Sequence, residues 1–332
     1  MQRKEAILKL IKQRKEVTVN DILKVVQGSK VTILRDIDKL ISEGSVIKTG
    51  KARATLYTPA IDLDEYFSQE QDARKLKNKS FNFNVWDELE NIFTEAELGE
   101  LSKTNNRFQE KYKELPPTLL RKEIERITIE FSWKSSKIEG NTYTLLDTEL
   151  LIKENIEAVG KKKEETIMIL NHKNALNYIF SEPEYFKTIT VKKIQELHQI
   201  LLKDLNVPSD FRFRAVGITG TNYHPLDVRS QIHEEIEKLC GLINNTKNPF
   251  AKALLAVLMI SYIQPFEDGN KRTARILGNA LLHAFDYCPL SYRSVDEVTY
   301  KKAMLLFYEQ NNWFHFKKLF VQQFTEAVEK YF

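Results

Sequence analysis

A mostly α-helical protein is the fold class this sequence predicts. Three observations carry the prediction: only 11 glycines and 9 prolines interrupt 332 residues, charged side chains make up 29%, and apolar residues recur at helical spacing over long stretches. Sandwiches and barrels need many short alternating strands, which this pattern does not supply. A chain of 332 residues suits two domains, one of them sizeable. Cys240 and Cys288 are far apart and outside any metal-ligand spacing, which fits plain thiols in a reducing cytoplasm. The opening MQRKEAILKL lacks the apolar core of a signal peptide, and the longest apolar run, Ala253 to Ile260, is too short to span a bilayer. A cytoplasmic protein without a membrane span is expected.

The net charge of +4 is unevenly spread. Residues 1–60 hold 13 Lys and Arg against 6 Asp and Glu, so this segment carries +7 and the remainder −3. A concentrated basic segment is an electrostatic footprint for nucleic acid. The same sixty residues read as three helices and a hairpin. Ile7, Leu8, Leu10 and Ile11 give the first helix its apolar face, and Asn20 precedes a second carrying Ile22, Leu23 and Val25. Ser29 is placed to cap a third, Lys30 to Ser42, which buries Val31, Leu34, Ile37 and Leu40 or Ile41 and ends at Gly44. Val46 to Lys48, the Thr49-Gly50-Lys51 turn and Ala54 to Tyr57 make a short hairpin. The whole resembles bacterial winged helix-turn-helix modules, with SKVTILRDIDKLISEGSV as recognition helix and exit. The resemblance implies DNA as a partner, with Lys30, Thr32 and Arg35 at the major groove and Lys48, Lys51 and Arg53 on the backbone. A protein–protein module of the same shape is the alternative.

Residues 61–80 turn polar and read as a linker or covering arm, and residues 81–332 read as a second, helical domain. Its one exception is Phe213 to Tyr223, FRAVGITGTNY, where β-branched residues and glycines predict a small hairpin. No internal repeat or low-complexity tract is present.

The chemistry concentrates in SYIQPFEDGNKRTARILGNALL, residues 261–282, a polar loop between two apolar helices. Gly269 and Asn270 bend the backbone so that successive N–H groups face one anion, and the helix that follows adds its positive end. Arg272 and Arg275, three apart on the first turns, converge on one polyphosphate, and guanidinium suits bidentate phosphate binding. Asp268 beside this cradle is placed to hold Mg2+.

QPFEDGNKRTAR resembles the signature loop of the Fic family, in which a histidine is followed by Pro, Phe, any residue, Asp or Glu, Gly, Asn, Gly or Lys, Arg, two residues and Arg. Every specific position agrees except the first, which is Gln264. The resemblance, spanning roughly residues 80–325, implies a Fic-type helical domain with a β-hairpin flap and ATP with Mg2+ at the loop. Gly269, Asn270, Lys271, Arg272 and Arg275 would bind the nucleotide, and Asp268 the metal. Phe211-Arg212 and the segment from Val216 to Gly220 resemble the flap, which aligns a target segment as an added strand; Ile218, Thr219 and Gly220 would lie beside the nucleotide. Tyr300, in the closing helical segment, would face the adenine, although an aromatic at helical spacing also reads as core. His198 in ELHQILL reads as a packed, structural histidine.

Pro116 and Pro117 open a helix lined by Ile124, Ile127 and Phe131 that runs into SSKIEGN. Ser135 and Glu139 share a face one turn apart, and Gly140 suits a C-terminal cap. SSKIEGN resembles the inhibitory motif of Fic proteins whose autoinhibitory helix, here near 118–140, precedes the active loop. In those proteins the glutamate pairs with the second loop arginine, here Arg275, and keeps the γ-phosphate from docking productively. Such proteins are often dimers.

The implied activity is transfer of AMP from ATP to a Ser, Thr or Tyr hydroxyl of a target protein, with the loop histidine as base. Imidazole titrates near neutral pH and an amide does not, so Gln264 leaves phosphate binding in place and slows the chemical step by about 10²- to 10⁴-fold. Glutamine at this position suits both a degenerate regulatory member and a substituted form of an active enzyme. Lys271 also occurs in the related Doc proteins, some of which transfer phosphate. Two further readings stand beside the transferase: a DNA-binding regulator whose Fic domain only senses ATP, and an enzyme that removes AMP.

Overall fold

The computed structural model describes residues 2–42, 44–50, 55–89 and 92–332. Its contacts divide the chain into two units, residues 1–74 with 84–90, and residues 75–83 with 91–332.

The first unit opens with α1 (Gln2–Arg14), α2 (Val19–Leu23) and α3 (Lys30–Ser42), followed by β1 (Val46–Thr49) and β2 (Leu56–Pro59), paired antiparallel with Val46 opposite Pro59. Helix α2 begins just before Asn20. Thr18 caps it, its hydroxyl accepting from the Asp21 N–H while the Asp21 carboxylate accepts from the Thr18 N–H, a reciprocal arrangement that satisfies two otherwise orphaned donors. Ser29 caps α3 as the sequence predicts, accepting from the Thr32 N–H at 3.3 Å. The α3 face is turned from the expected one: Ile33, Ile37 and Leu40 are buried, Leu34 is half-buried and Val31 is 69% exposed. Positions 33, 37 and 40 follow the helical period onto the core of Ile7, Ile11, Ile22 and Tyr57, which turns Val31 and Arg35 outward together. The second strand begins at Leu56; Ala54, Lys51 and Arg53 lie outside the described residues. Short helices α4 (Leu63–Phe67) and α5 (Val85–Leu89) also belong to this unit, so the polar arm carries a helical turn capped by Asp62.

The second unit contains α6 (Glu95–Glu114), α7 (Pro117–Ile138), α8 (Leu145–Glu154), α9 (Lys163–Ser181), α10 (Val191–Leu201), α11 (Arg229–Asn245), α12 (Pro249–Ile263), α13 (Asn270–Ala284), α14 (Glu297–Gln310) and α15 (Phe314–Tyr331). Helix α12 is buried from Phe250 to Ile263 and apolar on every side from Ala253 to Ile260, as a central helix must be. Helix α13 lies close along it. A Cβ at Gly278 would come within 2.8 Å of Val257 Cγ2, so the absence of a side chain sets how near the two axes run. Together they hold the loop between them on a packed base.

Helix α7 starts on the Pro116-Pro117 pair and stops at Gly140, which adopts φ +97°. The Gly140 N–H donates to the Lys137 carbonyl at 2.9 Å and the Asn141 N–H to that of Ser136 at 3.1 Å, a paired closure of the last turn. The helix is pinned along its length. Lys134 pairs with Glu297 at the start of α14, and buried Glu130 gathers Arg293, Lys330 and Tyr331.

The hairpin expected over Phe213 to Tyr223 does not form paired strands. The segment is an irregular extended loop with a turn at Thr219-Gly220, and among the described residues the only sheet is β1–β2. Gly217 and Gly220 interrupt its β-branched runs after one or two residues, too few for a ladder to offset the backbone entropy. Among the described residues no helix is long and apolar enough to cross a membrane.

Candidate nucleotide-binding loop

The loop is built from the end of α12 to the start of α13. Helix α12 terminates at Gln264, which takes the left-handed conformation at φ 52°, and α13 begins after Gly269 at φ +79°. A Cβ on Gly269 would fall 2.5 Å from Leu202 Cδ2 on top of the left-handed penalty, so any other residue would have to displace that leucine side chain and bear the backbone strain. Side chains then lock the turn. Asn270 Oδ1 accepts from the Phe266 N–H at 2.8 Å, while its Nδ2 donates to the Phe266 carbonyl at 2.8 Å and to Gln264 Oε1 at 3.0 Å. Asn270 is therefore spent on the loop itself; toward an anion it offers only its backbone end of α13.

Two further residues brace the loop from outside. His198 stacks on Phe266 with ring centroids 3.6 Å apart and donates from Nε2 to the Asp268 carbonyl at 2.9 Å. Burial pushes its imidazole down to about 4, so it is neutral, the structural role its sequence context predicts. Arg212, fully buried, donates from Nε to the Gln264 carbonyl at 2.6 Å, from Nη1 to the Arg214 carbonyl at 2.8 Å and from Nη2 to the Leu226 carbonyl. One guanidinium thus ties the residue-213 segment to the loop. Within that segment Ile218 and Gly220 are half-buried and Thr219 is exposed, Gly220 lying against Leu305.

The two arginines occupy different settings. Arg272 is 3% exposed; its Nη2 donates to Asp268 Oδ2 at 2.8 Å, and its buried Nη1 has no partner among the described residues. Arg275 is wholly buried and fully engaged: Nε donates to Ser135 Oγ at 2.9 Å, Nη2 to the Ser135 carbonyl at 2.9 Å and to Glu139 Oε1 at 2.8 Å, and Nη1 to the Tyr300 hydroxyl at 3.4 Å. For Glu139, burial would raise the pKa, but Arg275, Lys271 and Arg272 outweigh it and hold the carboxyl below the usual range. Lys271 itself is half-buried. Tyr300, which the resemblance puts beside the adenine, is 2% exposed and packs on Phe316 and Tyr292 with its hydroxyl on Arg275. Its place on the inner face of α14 makes it a buttress.

The residues fit a polyphosphate. The N-terminal end of α13 carries the left-handed Gly269, the first-turn N–H groups and Arg272, one buried guanidinium nitrogen of which has no partner among the described residues. Mg2+ fits only as an ion shared with phosphates. Asp268, with its side chain 65% exposed, offers one carboxylate, and among the described residues no group of three or more His, Cys, Asp or Glu could form a protein-only cage.

Of the predicted site residues, the structure brings together Gln264, Asp268, Gly269, Asn270, Lys271 and Arg272 in one loop, and Arg275, Ser135, Glu139 and Tyr300 in one cluster behind it. On the first unit Lys30, Arg35 and Lys48 are exposed, while the half-buried Thr32 is committed to Ser29, with 2.8 Å between hydroxyls. Sequence reasoning passed over His172, which lies at zero exposure on α9 beside both Ser135 and Ser136. A lone histidine on an apolar helix carries no local signal of that kind.

Residues 188–282 match the Fic/DOC family and residues 3–54 match the DeoR-like helix-turn-helix domain. A protein adenylyltransferase Fic of Nematostella vectensis is 28% identical over 185 residues, covering 54% of this chain and 43% of that protein. That of Drosophila melanogaster is 32% identical over 161 residues, covering 48% and 33%. The chain thus spans less than half the length of these relatives. Among solved structures, Fic-1 of C. elegans superposes with a TM-score of 0.62 at 19% identity, covering 71% of this chain and 70% of that one. A Fic domain containing signaling protein of Bacteroides thetaiotaomicron gives 0.57 at 22%, covering 70% and 96%. These likenesses concern the fold.

Proposed function

On the premise that the chain carries a Fic/DOC family domain fused to an N-terminal DeoR-like helix-turn-helix domain, we propose that it is an adenylyltransferase-type Mg-ATP-binding protein, restrained by Glu139 and lacking its base at Gln264. One observation carries the reading: Arg272, in the first turn of α13, keeps a buried Nη1 without a partner among the described residues, on the helix that opens after the left-handed Gly269. The phosphates would lie on the α13 N-terminus, Arg272 and Arg275. Mg2+, held by Asp268 together with phosphate oxygens, would neutralise charge on the leaving pyrophosphate.

The chain's own residues set how far the reaction goes. Glu139 occupies Arg275 Nη2 at 2.8 Å, so a terminal phosphate must displace a carboxylate of its own charge. Gln264 faces the loop with an amide whose Nε2 donates to the Ser261 carbonyl at 2.6 Å and whose Oε1 accepts from Asn270. An amide oxygen can orient a target hydroxyl but cannot take its proton near neutral pH. Binding therefore outlasts turnover in this chain.

The test compares the chain with Gln264→His, Glu139→Gly and the double variant, using α-labelled ATP and a cell lysate. Label transferred once histidine is restored, and more strongly without Glu139, supports the reading. A double variant that labels nothing, itself included, overturns the transferase. A second reading, a DNA-binding regulator with an ATP-sensing Fic domain, is favoured by the DeoR-like match together with the exposure of Lys30, Arg35 and Lys48. ATP-dependent retention on DNA without any label transfer is its signature.

A further inference from the structure

We infer that His172 is a positioning residue that acts through the Ser135 hydroxyl to fix the guanidinium of Arg275. The inference rests on the proposed role of Arg275 as a ligand for the terminal phosphates, and it adds a residue on a different helix from either arginine.

The direction of the hydrogen bonds follows from the groups that cannot change role. His172 Nδ1 lies 2.8 Å from the Met168 carbonyl on the same helix, and a carbonyl only accepts, so Nδ1 carries the proton. The Ser136 hydroxyl, 3.2 Å from Nδ1, is a second acceptor for that proton. Nε2 is then a bare lone pair. Ser135 Oγ, 2.9 Å away, must donate to it. With its hydrogen committed to α9, the Ser135 oxygen turns only lone pairs toward α13, where Arg275 Nε donates at 2.9 Å. The chain of polarity runs Arg275 to Ser135 to His172 to Met168, every member buried but for the backbone carbonyl at its end.

Burial, and next the charge of Arg272, depress the imidazole to about 3, so His172 stays neutral and keeps this tautomer across the physiological range. Without an acceptor behind it, the Ser135 hydroxyl is free to rotate its hydrogen toward Arg275, setting donor against donor in a site from which water is excluded. His172 removes that rotamer. Arg275 is thereby held through Nε and one Nη2 hydrogen, and the remaining donors are presented to Glu139 and Tyr300. The same anchor serves both states. It presents Arg275 to Glu139 in the restrained protein and to phosphate once Glu139 is gone.

The test uses the full chain carrying Glu139→Gly, in which His172→Phe, His172→Gln, Ser135→Ala and the His172→Phe/Ser135→Ala pair are compared by calorimetric titration with ATP and with AMP. His172→Phe is expected to weaken ATP about fivefold to tenfold, the scale of one lost buried hydrogen bond, and to leave AMP, which lacks the terminal phosphates, unchanged. His172→Gln supplies an amide oxygen as acceptor and is expected to restore most of the affinity, and the double variant to bind no more weakly than Ser135→Ala alone. Equal losses in the Phe and Gln variants, additive losses, or parallel losses for AMP overturn the inference. A parent that binds no ATP at all refutes the nucleotide reading instead. In that case the Arg275 Nε–H resonance in the unliganded protein decides: faster solvent exchange in His172→Phe but not in His172→Gln supports positioning, and identical exchange refutes it.

Discussion

Asn270 Nδ2 donates to Gln264 Oε1 at 3.0 Å, so the residue at which α12 ends closes the loop it belongs to. The same amide reaches back to the Ser261 carbonyl, and its backbone carbonyl receives Arg212. Gln264 is thus a structural keystone even without a proton to exchange. Gln264→Ala would leave the buried Asn270 donor and the Ser261 acceptor with fewer partners, a loss of about 1–3 kcal/mol. Gln264→His offers nitrogens at similar reach and is expected to stay within about 1 kcal/mol of the parent, the scale of a single hydrogen bond. Urea denaturation checks both; an alanine variant as stable as the parent would show that the amide contacts carry no weight.

The loop was readable because its determinants are contiguous. Gly269, Asn270 and the two arginines fall within seven residues, and the local backbone alone brings them to one helix end. The Ser135 to Glu139 pair was readable for the same reason, one helical turn. What the sequence hides is whatever a distant helix decides. His172 meets Ser135 across 37 positions, and Tyr300 meets Arg275 across 25. The Phe213 to Tyr223 segment shows the opposite failure: its composition suits a strand, but pairing needs a partner, which composition cannot report. In α3 the apolar residues are dense enough to support two adjacent faces, and the packing of Ile33 rather than Val31 on α1 and α2 chose between them.

The Glu139 to Arg275 pair makes a linked prediction for stability, nucleotide binding and pH. Arg275 has no exposure, so Glu139→Gly leaves a buried charge uncompensated and is expected to destabilise the protein by about 3 kcal/mol. MgATP should return much of that loss, giving the variant a larger thermal shift than the parent. The pH dependence has a definite sign. Because the folded-state pKa of Glu139 is lowered, its contribution is fully present above the ordinary glutamate value of about 4.3 and is lost as pH falls through the lower folded value. ATP affinity of the parent should therefore not rise as pH drops from about 8 to about 5, all of which lies above that ordinary value. A steep gain in calorimetric titrations between pH 6 and 5, absent from Glu139→Gly, would show the carboxyl titrating there and refute the pairing.

The outward face of α3 makes the last prediction. Lys30, Val31 and Arg35 are exposed together at its N-terminal half, two cations around an apolar contact, while Thr32 is held by its cap. If this face meets DNA, the lysine and arginine act first on phosphates, and replacing both by alanine removes two released counterions. Anisotropy titrations of the full chain on a duplex of about 30 base pairs should then show weaker binding at every salt concentration, with the salt slope shallower by about 1.8, from roughly 0.9 per phosphate contact. Val31→Ser should instead leave the slope unchanged and alter preference among sequences, because an apolar side chain reads thymine methyl groups and not phosphate charge. Unaltered affinity and slope in the double variant would remove α3 from the DNA interface and leave the module to a protein partner, a use of the same fold in which the basic face is only solvated surface.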